Sequence, residues 1–375
     1  MNTLENVHEW LRFMVARKAS DLFLTAGFPP AIKLNGKVTP ISKQTFTPTD
    51  TLLLSKALMT ERQQKDFDAT HECNFAIHVG DVGRFRVNVF MQQTRVGVVL
   101  RHINTQIPML EELHLPMNLR DITMMPRGLV IVTGATGSGK STTLAAMVGY
   151  RNQHSQDHIV SVEDPIEYVH EHGKSIITQR EVGMDTESWE SALKNTLRQA
   201  PDVIMIGEIR DRDTMQYAMT YAETGHLCFS TIHANNANQT LDRILSFFPK
   251  ERREQLLLDL SLNLRAVISQ RLLPRLDGKG RVPAVEIMLN SPLISDLILQ
   301  GRLDEIKDIM TRSRDLGMQT FDQALFDLFA KGDVKAEDAL RNADSFNDLR
   351  LKIKLHIKGE KGDAPLSGLD HLGLV

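Results

Sequence analysis

A glycine-rich stretch, GATGSGKST at positions 134–142, contains the residue types that bind phosphate. It fits the pattern G-x-x-x-x-G-K-[ST] and lies between the apolar runs GLVIV and LAAMV, as the loop of a strand–loop–helix unit would. Glycines let backbone N–H groups converge on a phosphate, and the start of a helix adds partial positive charge. We therefore expect Lys140 to reach the β- and γ-phosphates of a nucleotide and the Ser141 hydroxyl to hold Mg²⁺. The other predicted nucleotide-binding residues of this loop are Gly134, Thr136, Gly137, Ser138, Gly139 and Thr142.

Acidic residues follow two further apolar runs. Glu163 and Asp164 come after the run in SVEDPIEY, and Glu208 comes after the run in VIMIGEIRD. The carboxyl ends of parallel strands open on one crevice, so we expect these side chains to face the phosphate-binding loop. Hydrolysis of a nucleotide needs one carboxylate to orient or deprotonate water and another to hold the metal. One acidic residue at a strand end is usually a helix cap, but three at two strand ends favour a catalytic interpretation.

Two histidines, His226 and His233, flank a fourth apolar run in TGHLCFSTIHANNA. A histidine at a strand end can hydrogen-bond a γ-phosphate and respond to its loss. The alternative is a histidine with satisfied hydrogen bonds in the core. That alternative is weaker for His233, which lies at the carboxyl end of the run among Thr231, Asn235 and Asn236. We therefore include both histidines in the candidate site.

The elements before this region indicate a separate α+β domain over residues 1–101. Apolar residues recur every three or four positions in MNTLENVHEWLRFMVARKAS, which predicts an amphipathic helix. A strand pair broken at Asn35-Gly36, a helical stretch over Thr49–Thr70 and three more strand candidates follow. Residues 102–114 have the composition of a linker.

Residues 115–290 are predicted to form an α/β core. Their apolar runs GLVIVTG, HIVSVEDP, VIMIGE and LCFSTIH are nearly continuous, which indicates a largely parallel sheet covered on both faces. Residues 291–358 are predicted to be helical, with Thr320 and Gln323 in capping-box spacing. Within them, the period of two in LRLKIKLHIK favours an edge strand, with a helix end as the alternative. Residues 359–375 are predicted to be a disordered tail.

The composition is that of an ordinary globular protein, with 375 residues, 42% hydrophobic and 24% charged. A formal net charge of -3 gives no general attraction to nucleic acid. We find no signal peptide, and no apolar run reaches the roughly 18–20 residues of a membrane span. The two cysteines, Cys73 and Cys228, are far apart, which argues against a cysteine zinc site or a disulfide framework. We therefore expect a reduced, cytoplasmic protein.

Four blocks in this order are similar to those of the secretion and pilus ATPase superfamily. GATGSGKST resembles its Walker A motif, SVEDPIEYVHEHGKSIITQREVG its aspartate box, LRQAPDVIMIGEIRDRDT its Walker B motif and AETGHLCFSTIHANNA its histidine box. ASDLFLTAGFPPAIKLNGKV and GRFRVNVFMQ resemble the PAS-like N-terminal domain of the superfamily. The resemblance extends from residue 1 to about 345 and is closest to the type IV pilus retraction ATPases of the PilT/PilU group.

This resemblance implies an α/β protein with a PAS-like α+β N-terminal domain, a RecA-like P-loop ATPase core and a helical C-terminal region. It implies a homo-hexameric ring on the cytoplasmic face of the bacterial inner membrane that hydrolyses ATP with Mg²⁺ to drive pilus disassembly. The expected partners are the inner-membrane platform protein of the type IV pilus and a sister retraction ATPase, and nucleic acid is not expected to bind.

The resemblance also implies roles for single residues. Glu163 would be the general base, and Glu208 would position Mg²⁺ or water with Asp164 as a further metal ligand. The sequence leaves open which of the two glutamates is the base. His226 and His233 would act near the γ-phosphate. Four arginines are candidates to reach a nucleotide, including that of a neighbouring subunit, or else are ordinary exposed strand residues: Arg84, Arg86, Arg95 and Arg101.

Departures from the pattern of the main retraction motor favour the accessory, PilU-type branch. The main motor usually carries A-I-R-N-L-I-R-E in its helical region, where this chain has LISDLILQG at 293–301. Phe23 replaces a frequent histidine, and Ala200 replaces a common acidic residue.

Three alternatives are weighed against retraction. A pilus or type II secretion assembly ATPase would usually carry a tetracysteine zinc element, which two distant cysteines do not provide. A RecA-like nucleic-acid translocase would need a basic channel with stacking aromatic residues, against a net charge of -3 and 6% aromatic residues here. The third alternative is an ATP-gated scaffold that does not hydrolyse ATP.

Overall fold

The computed structural model describes residues 3–34, 36–80, 82–103 and 106–361. The chain divides into two compact units. The first contains the residues up to 107 together with 166–170 and 183–185, and the second contains 108–165, 171–182 and the residues from 186 on. The α/β core and the helical C-terminal region therefore share one unit.

The first unit has an α+β fold. Its helices are α1 (Thr3–Ala16), α2 (Pro48–Leu58) and α3 (Glu61–Thr70), and its strands are β1 (Asp21–Thr25), β2 (Ala31–Leu34), β3 (Lys37–Pro40), β4 (Glu72–Val79), β5 (Gly83–Gln92) and β6 (Arg95–Ile103). The strands form one antiparallel sheet in the order β3-β2-β1-β6-β5-β4. Val7 and Leu11 of α1 share a buried cluster with Phe85, Val87 and Val89 of β5, as the helical and alternating patterns predict.

The second unit is built on a seven-stranded sheet. Its strands are β7 (Gly128–Thr133), β8 (His158–Glu163), β9 (Ile176–Glu181), β10 (Val203–Ile206), β11 (Leu227–Ile232), β12 (Leu264–Pro274) and β13 (Arg281–Leu289). Its α-helices are α4 (Leu119–Thr123), α5 (Lys140–His154), α6 (Trp189–Thr196), α7 (Arg212–Glu223), α8 (Ala237–Ser246), α9 (Arg253–Asn263), α10 (Pro292–Leu299), α11 (Ile306–Arg312), α12 (Phe321–Ala330), α13 (Ala336–Arg341) and α14 (Phe346–Lys361).

The order of that sheet is β13-β12-β7-β11-β10-β8-β9, and every neighbouring pair is parallel except β12 and β13. Strand β7 shows why its sequence is apolar throughout. Leu129 and Ile131 lie in one buried cluster, while Val130 and Val132 lie in another on the opposite face. The sheet is thus covered on both faces, and the prediction from continuous apolar runs is confirmed.

The C-terminal helices pack on the β12–β13 hairpin, with Phe321, Leu325 and Leu349 in a cluster with Leu273 and Val282. The predicted capping box at the start of α12 is present. Among the described residues, no helix is both long enough and apolar enough to cross a membrane.

Three local expectations are corrected. The stretch predicted as one helix over Thr49–Thr70 is two helices, because the Thr60 side chain caps a second start. LRLKIKLHIK is part of α14 rather than a strand, since Leu349 and Ile353, four residues apart, are its buried positions. Helix α14 continues to Lys361, past the predicted tail boundary at 359, and the rest of the predicted tail, 362–375, lies outside the described residues.

Candidate functional site

We call the stretch GATGSGKST the glycine loop. Its backbone adopts conformations that favour glycine. Its three glycines have positive φ angles, 152° at Gly134, 78° at Gly137 and 91° at Gly139. A Cβ on Gly134 would lie 2.6 Å from the carbonyl oxygen of Gln270 and 2.4 Å from Ser138 Oγ. Helix α5 begins directly after the loop, so its first N–H groups and its dipole point at the same space.

The loop also holds polar groups suited to phosphate. Lys140 is 9% exposed, and its Nζ donates to the carbonyl oxygens of Gly134 at 2.9 Å and Ala135 at 3.2 Å. Ser138 is 6% exposed, and its hydroxyl has no hydrogen-bond partner among the described residues. A buried hydroxyl and a lysine at the end of the glycine loop fit a nucleoside triphosphate, because its phosphate oxygens would accept hydrogen bonds from both.

His233 connects this lysine to one of the predicted carboxylates. Its Nδ1 lies 3.5 Å from Lys140 Nζ, and its Nε2 lies 3.2 Å from Glu208 Oε1. An ammonium group only donates hydrogen bonds, so Nδ1 must be the accepting nitrogen of the ring. The proton of the neutral ring is then on Nε2 and is donated to the carboxylate. The two ends of this imidazole therefore face a cation and an anion.

Arg210 connects Glu208 to Asp164, the third predicted acidic residue of the site. Its Nε donates to Glu208 Oε2 at 2.8 Å, and its Nη1 lies 3.6 Å from Asp164 Oδ2. The pKa of Arg210 is raised, first because its guanidinium donates to the Glu208 carboxylate and further because Asp164 and Asp211 are near. Sequence reasoning missed this arginine, although its position two residues after Glu208 in GEIRD was a usable signal.

Glu163 lies beside these groups and is held differently. It ends β8, the parallel neighbour of β10, and a Cβ on Gly207 would lie 3.2 Å from its Cα. Glu163 is 7% exposed, and its Oε1 accepts hydrogen bonds from Ser161 Oγ at 2.8 Å and Gln179 Nε2 at 3.1 Å. Two neighbouring side chains therefore hold Oε1 of this carboxylate in place. Glu163 and Glu208 lie at adjacent strand ends, as the parallel sheet predicts.

His226 is not brought to this edge of the sheet. It precedes β11, where its carbonyl accepts from the N–H of Gly128 and its Nδ1 lies 3.1 Å from Thr224 Oγ1 and 3.3 Å from the carbonyl of Tyr221. His233 follows the same strand, and six residues of strand separate the two histidines by about 20 Å. Of the two histidines, His233 is the one that lies near the glycine loop within one chain.

The predicted arginines belong to the first unit and do not form one group. Arg84 and Arg86 on β5 lie near Arg101 of β6, which pairs with Arg86 in register. Arg101 Nε lies 2.8 Å from Asp21 Oδ1, and its side chain is 67% exposed. Arg95 begins β6 at the other end of the hairpin, about 20 Å away along the strand.

The site fits Mg²⁺ held in part by substrate. Among the described residues, no group of three or more His, Cys, Asp or Glu side chains could hold a metal ion alone. Mg²⁺ commonly takes one or two protein oxygen ligands, water and the phosphates of its nucleotide. The Ser141 hydroxyl in the first turn of α5 and the carboxylates of Glu208 and Asp164 are oxygen donors of that kind.

Gly134→Ala is expected to weaken ATP binding. The added Cβ would meet the Gln270 carbonyl oxygen at 2.6 Å, and this oxygen cannot move away as a flexible side chain could. We expect about 10–100-fold weaker binding, since strained backbone conformations cost about 1–3 kcal/mol and 1.4 kcal/mol is tenfold in affinity. Titration with a fluorescent ATP analogue measures it. Gly225→Ala is the control, because φ there is +95° with no atom within 4 Å of the added Cβ; wild-type affinity of Gly134→Ala would contradict the expectation.

A buried carboxyl, Glu286 on β13, lies behind the loop that carries His233. We call residues 233–236, between β11 and α8, the histidine loop. Glu286 is 2% exposed, and its Oε1 accepts from the N–H of Ala237 at 2.7 Å and from Ser269 Oγ at 3.1 Å. Burial raises the pKa of Glu286 to about 7, and the charge of Asp344 adds to this rise.

Glu286→Gln is expected to gain stability relative to wild type as pH rises. The carboxyl has a pKa of about 7 when folded and 4.5 ordinarily. Its contribution to wild-type stability is therefore complete below pH 4.5 and is lost by about pH 7, a change of about 3 kcal/mol at 1.36 kcal/mol per unit. Glutamine keeps an acceptor for Ala237 and does not ionise. The Tm difference between variant and wild type at pH 5 and pH 8 measures this, with exposed Glu337→Gln as control; an equal difference at both values would contradict it.

The fold and the site define a RecA-like P-loop ATPase with an α+β N-terminal domain. A family described as type II/IV secretion system protein matches residues 6–319. The chain belongs to this family.

Two proteins of Pseudomonas aeruginosa are similar to this chain over most of its length. It is 57% identical over 362 residues to the type IV pilus ATPase PilU, covering 96% of this chain and 93% of that protein. It is 42% identical over 338 residues to the type IV pilus retraction ATPase PilT, covering 90% of this chain and 98% of that protein.

Solved structures agree with this relationship. The crystal structure of the pilus retraction motor PilT with bound ADP matches with a TM-score of 0.86 at 40% identity, covering 92% of this chain and 99% of that one. The ATPase DotB of Legionella pneumophila matches with a TM-score of 0.74 at 26% identity, covering 94% of each chain.

Proposed function

We propose that this chain is an ATP-hydrolysing motor that assists type IV pilus retraction as an accessory ATPase beside a sister retraction ATPase. The observation that carries the proposal is the connected series of Lys140, His233 and Glu208, with Glu163 at the adjacent strand end. The 57% identity to PilU, against 42% to PilT over a similar length, supports the accessory branch rather than the main motor.

Each group of site residues has a separate role in ATP hydrolysis. The backbone of the glycine loop and Lys140 bind and orient the phosphates, and the Ser141 hydroxyl and the Glu208 carboxylate hold Mg²⁺, with Asp164 adjacent. When bound, Mg²⁺ neutralises negative charge on the phosphates. Glu163 takes the proton of the attacking water, because it is a buried carboxylate at the strand end adjacent to Glu208. His233 keeps its proton towards Glu208 and senses the position of Lys140.

The assembly that we propose is a homo-hexameric ring on the inner face of the bacterial inner membrane, where the pilus platform protein would bind it. Arginines of the first unit would reach the nucleotide of a neighbouring subunit, and Arg84, Arg86 and Arg101 form the group best placed to act together. Sedimentation with ATP and Mg²⁺ tests the ring. A strict monomer at high protein concentration would count against it.

Deletion of the gene tests the direction of the motor. Excess surface pili and loss of twitching that is restored by raised levels of the sister ATPase support an accessory retraction role. Loss of pili would instead support a pilus or type II secretion assembly ATPase. Stimulation of hydrolysis by single-stranded DNA would favour a nucleic-acid translocase.

A further inference from the structure

Arg271, on β12, touches both the histidine loop and the helical C-terminal region. Its Nη2 donates to the carbonyl oxygen of Asn235 at 3.2 Å and to Asp344 Oδ1 at 2.7 Å. Its Nη1 donates to the carbonyl oxygen of Asn342. Its guanidinium carbon lies 3.8 Å from the ring centroid of Phe321. One partner is in the histidine loop, and the other three are in the C-terminal helical region.

The C-terminal partners of Arg271 are themselves fixed in place. Asp344 lies between α13 and α14, and its Oδ2 accepts from Lys307 Nζ of α11 at 3.0 Å. The carboxylate of Asp322, on α12, accepts from the N–H groups of Asp344 and Ser345. Burial raises the pKa of Asp344, but the charges and hydrogen bonds of Arg271 and Lys307 outweigh burial and lower it on balance. Helices α11 and α12 and the connection between α13 and α14 thus share this charged cluster.

Three contacts hold the chain after His233, two in the histidine loop and one at the first residue of α8. Thr133 Oγ1 donates to the carbonyl of Ala234 at 3.1 Å, Arg271 binds the carbonyl of Asn235, and Glu286 accepts from the N–H of Ala237. All three of these residues lie on strands of the same sheet. Arg271 is the one of these three whose other partners lie in the C-terminal helices.

We propose that Arg271 is a positioning residue that ties the orientation of His233 to the helical C-terminal region. A displacement of that region acts on the Asn235 contact as well as the Asp344 contact, because one nitrogen of the guanidinium makes both. Force or a partner acting on the C-terminal helices therefore changes the rate of ATP hydrolysis through this arginine. The inference rests on the proposed function of the site as an ATPase.

Arg271→Gln tests this directly. We expect kcat for ATP hydrolysis to fall about 10-fold, within the 5–150-fold range typical of coupling between sites, with KM for ATP changed less than about twofold. Arg271→Lys is expected to recover little, because a single ammonium cannot replace a planar fork with several donors. The matched control is Arg275→Gln, since Arg275 follows the same strand and lies beside Asp277.

A double-mutant cycle separates positioning from packing. In a His233→Ala background, Arg271→Gln should lower kcat by less than about twofold more, because its effect acts through that histidine. A purely structural arginine would lower Tm and leave kcat per folded molecule unchanged, or its loss would multiply with the loss from His233→Ala. Either result overturns the proposal.

Asp344→Asn keeps the test decisive if Arg271→Gln does not fold. This variant changes the C-terminal partner of Arg271 while Arg271 itself is kept, and it should also lower kcat, again without adding to His233→Ala. A wild-type kcat in Asp344→Asn would overturn the inference. Absence of ATP hydrolysis by the wild-type chain would refute the proposed function instead, so the two failures are distinguishable.

Discussion

Glu163→Gln is expected to lower kcat for ATP hydrolysis by about 10²–10⁴-fold, the contribution typical of a general base. Glutamine keeps one oxygen to accept from Ser161 and Gln179, so the fold and ATP affinity should be retained. Steady-state hydrolysis and ATP titration on the same preparation measure the two quantities. The control is Glu223→Gln, which removes an exposed carboxylate at the end of α7, near the opposite edge of the sheet. Full turnover by Glu163→Gln would show that another group is the base.

Glu208→Gln is expected to lower kcat by about 10²–10³-fold, the size typical of removing one group that stabilises charge in the transition state. It should also raise the Mg²⁺ concentration for half-maximal rate, because the carboxylate is a proposed metal ligand. The change leaves Arg210 with Asp164 as its remaining acidic partner in this series. Rates measured against Mg²⁺ concentration test this.

The Mg²⁺ dependence also distinguishes the two glutamates. Only Glu208→Gln should need more Mg²⁺, whereas Glu163→Gln should be slow at every Mg²⁺ concentration. If Glu163→Gln shows the raised requirement, the roles assigned to the two residues are exchanged.

The glycine loop and the carboxylates could be found from sequence because their signals are local. Each lies directly after an apolar run, and parallel strands bring such positions to one edge. The same rule separates the histidines, since His226 precedes its run and His233 follows it. Within one chain, His226 therefore lies at the opposite edge of the sheet from the glycine loop.

Residues on β12 could not be found in this way. Gln270 bonds Thr143 Oγ1 at 2.7 Å across 127 residues of sequence, and Arg271 reaches Asp344 across 73. Both lie inside a strand, and no local pattern marks them as neighbours of the glycine loop or of the histidine loop. Their role depends on strand order, because β12 is beside β7 in the sheet.

The alternating apolar residues of α14 favoured an edge strand for a different reason. Leu351, Ile353, Leu355 and Ile357 follow a period of two. The structure buries Ile353 with Leu349, four residues earlier, while Leu351 is 58% exposed and Leu355 is 60% exposed. A helix with leucines on its solvent face therefore has the sequence pattern of a strand.

ATP binding and hydrolysis by Lys140→Ala, measured on one preparation beside wild type, are the most direct test of the site. Loss of its ammonium group should abolish hydrolysis and weaken nucleotide binding, because the loop would then hold the terminal phosphates without their cation. Unchanged binding and turnover in a correctly folded Lys140→Ala protein would contradict the assignment of this loop, and with it the proposal that the chain is a motor.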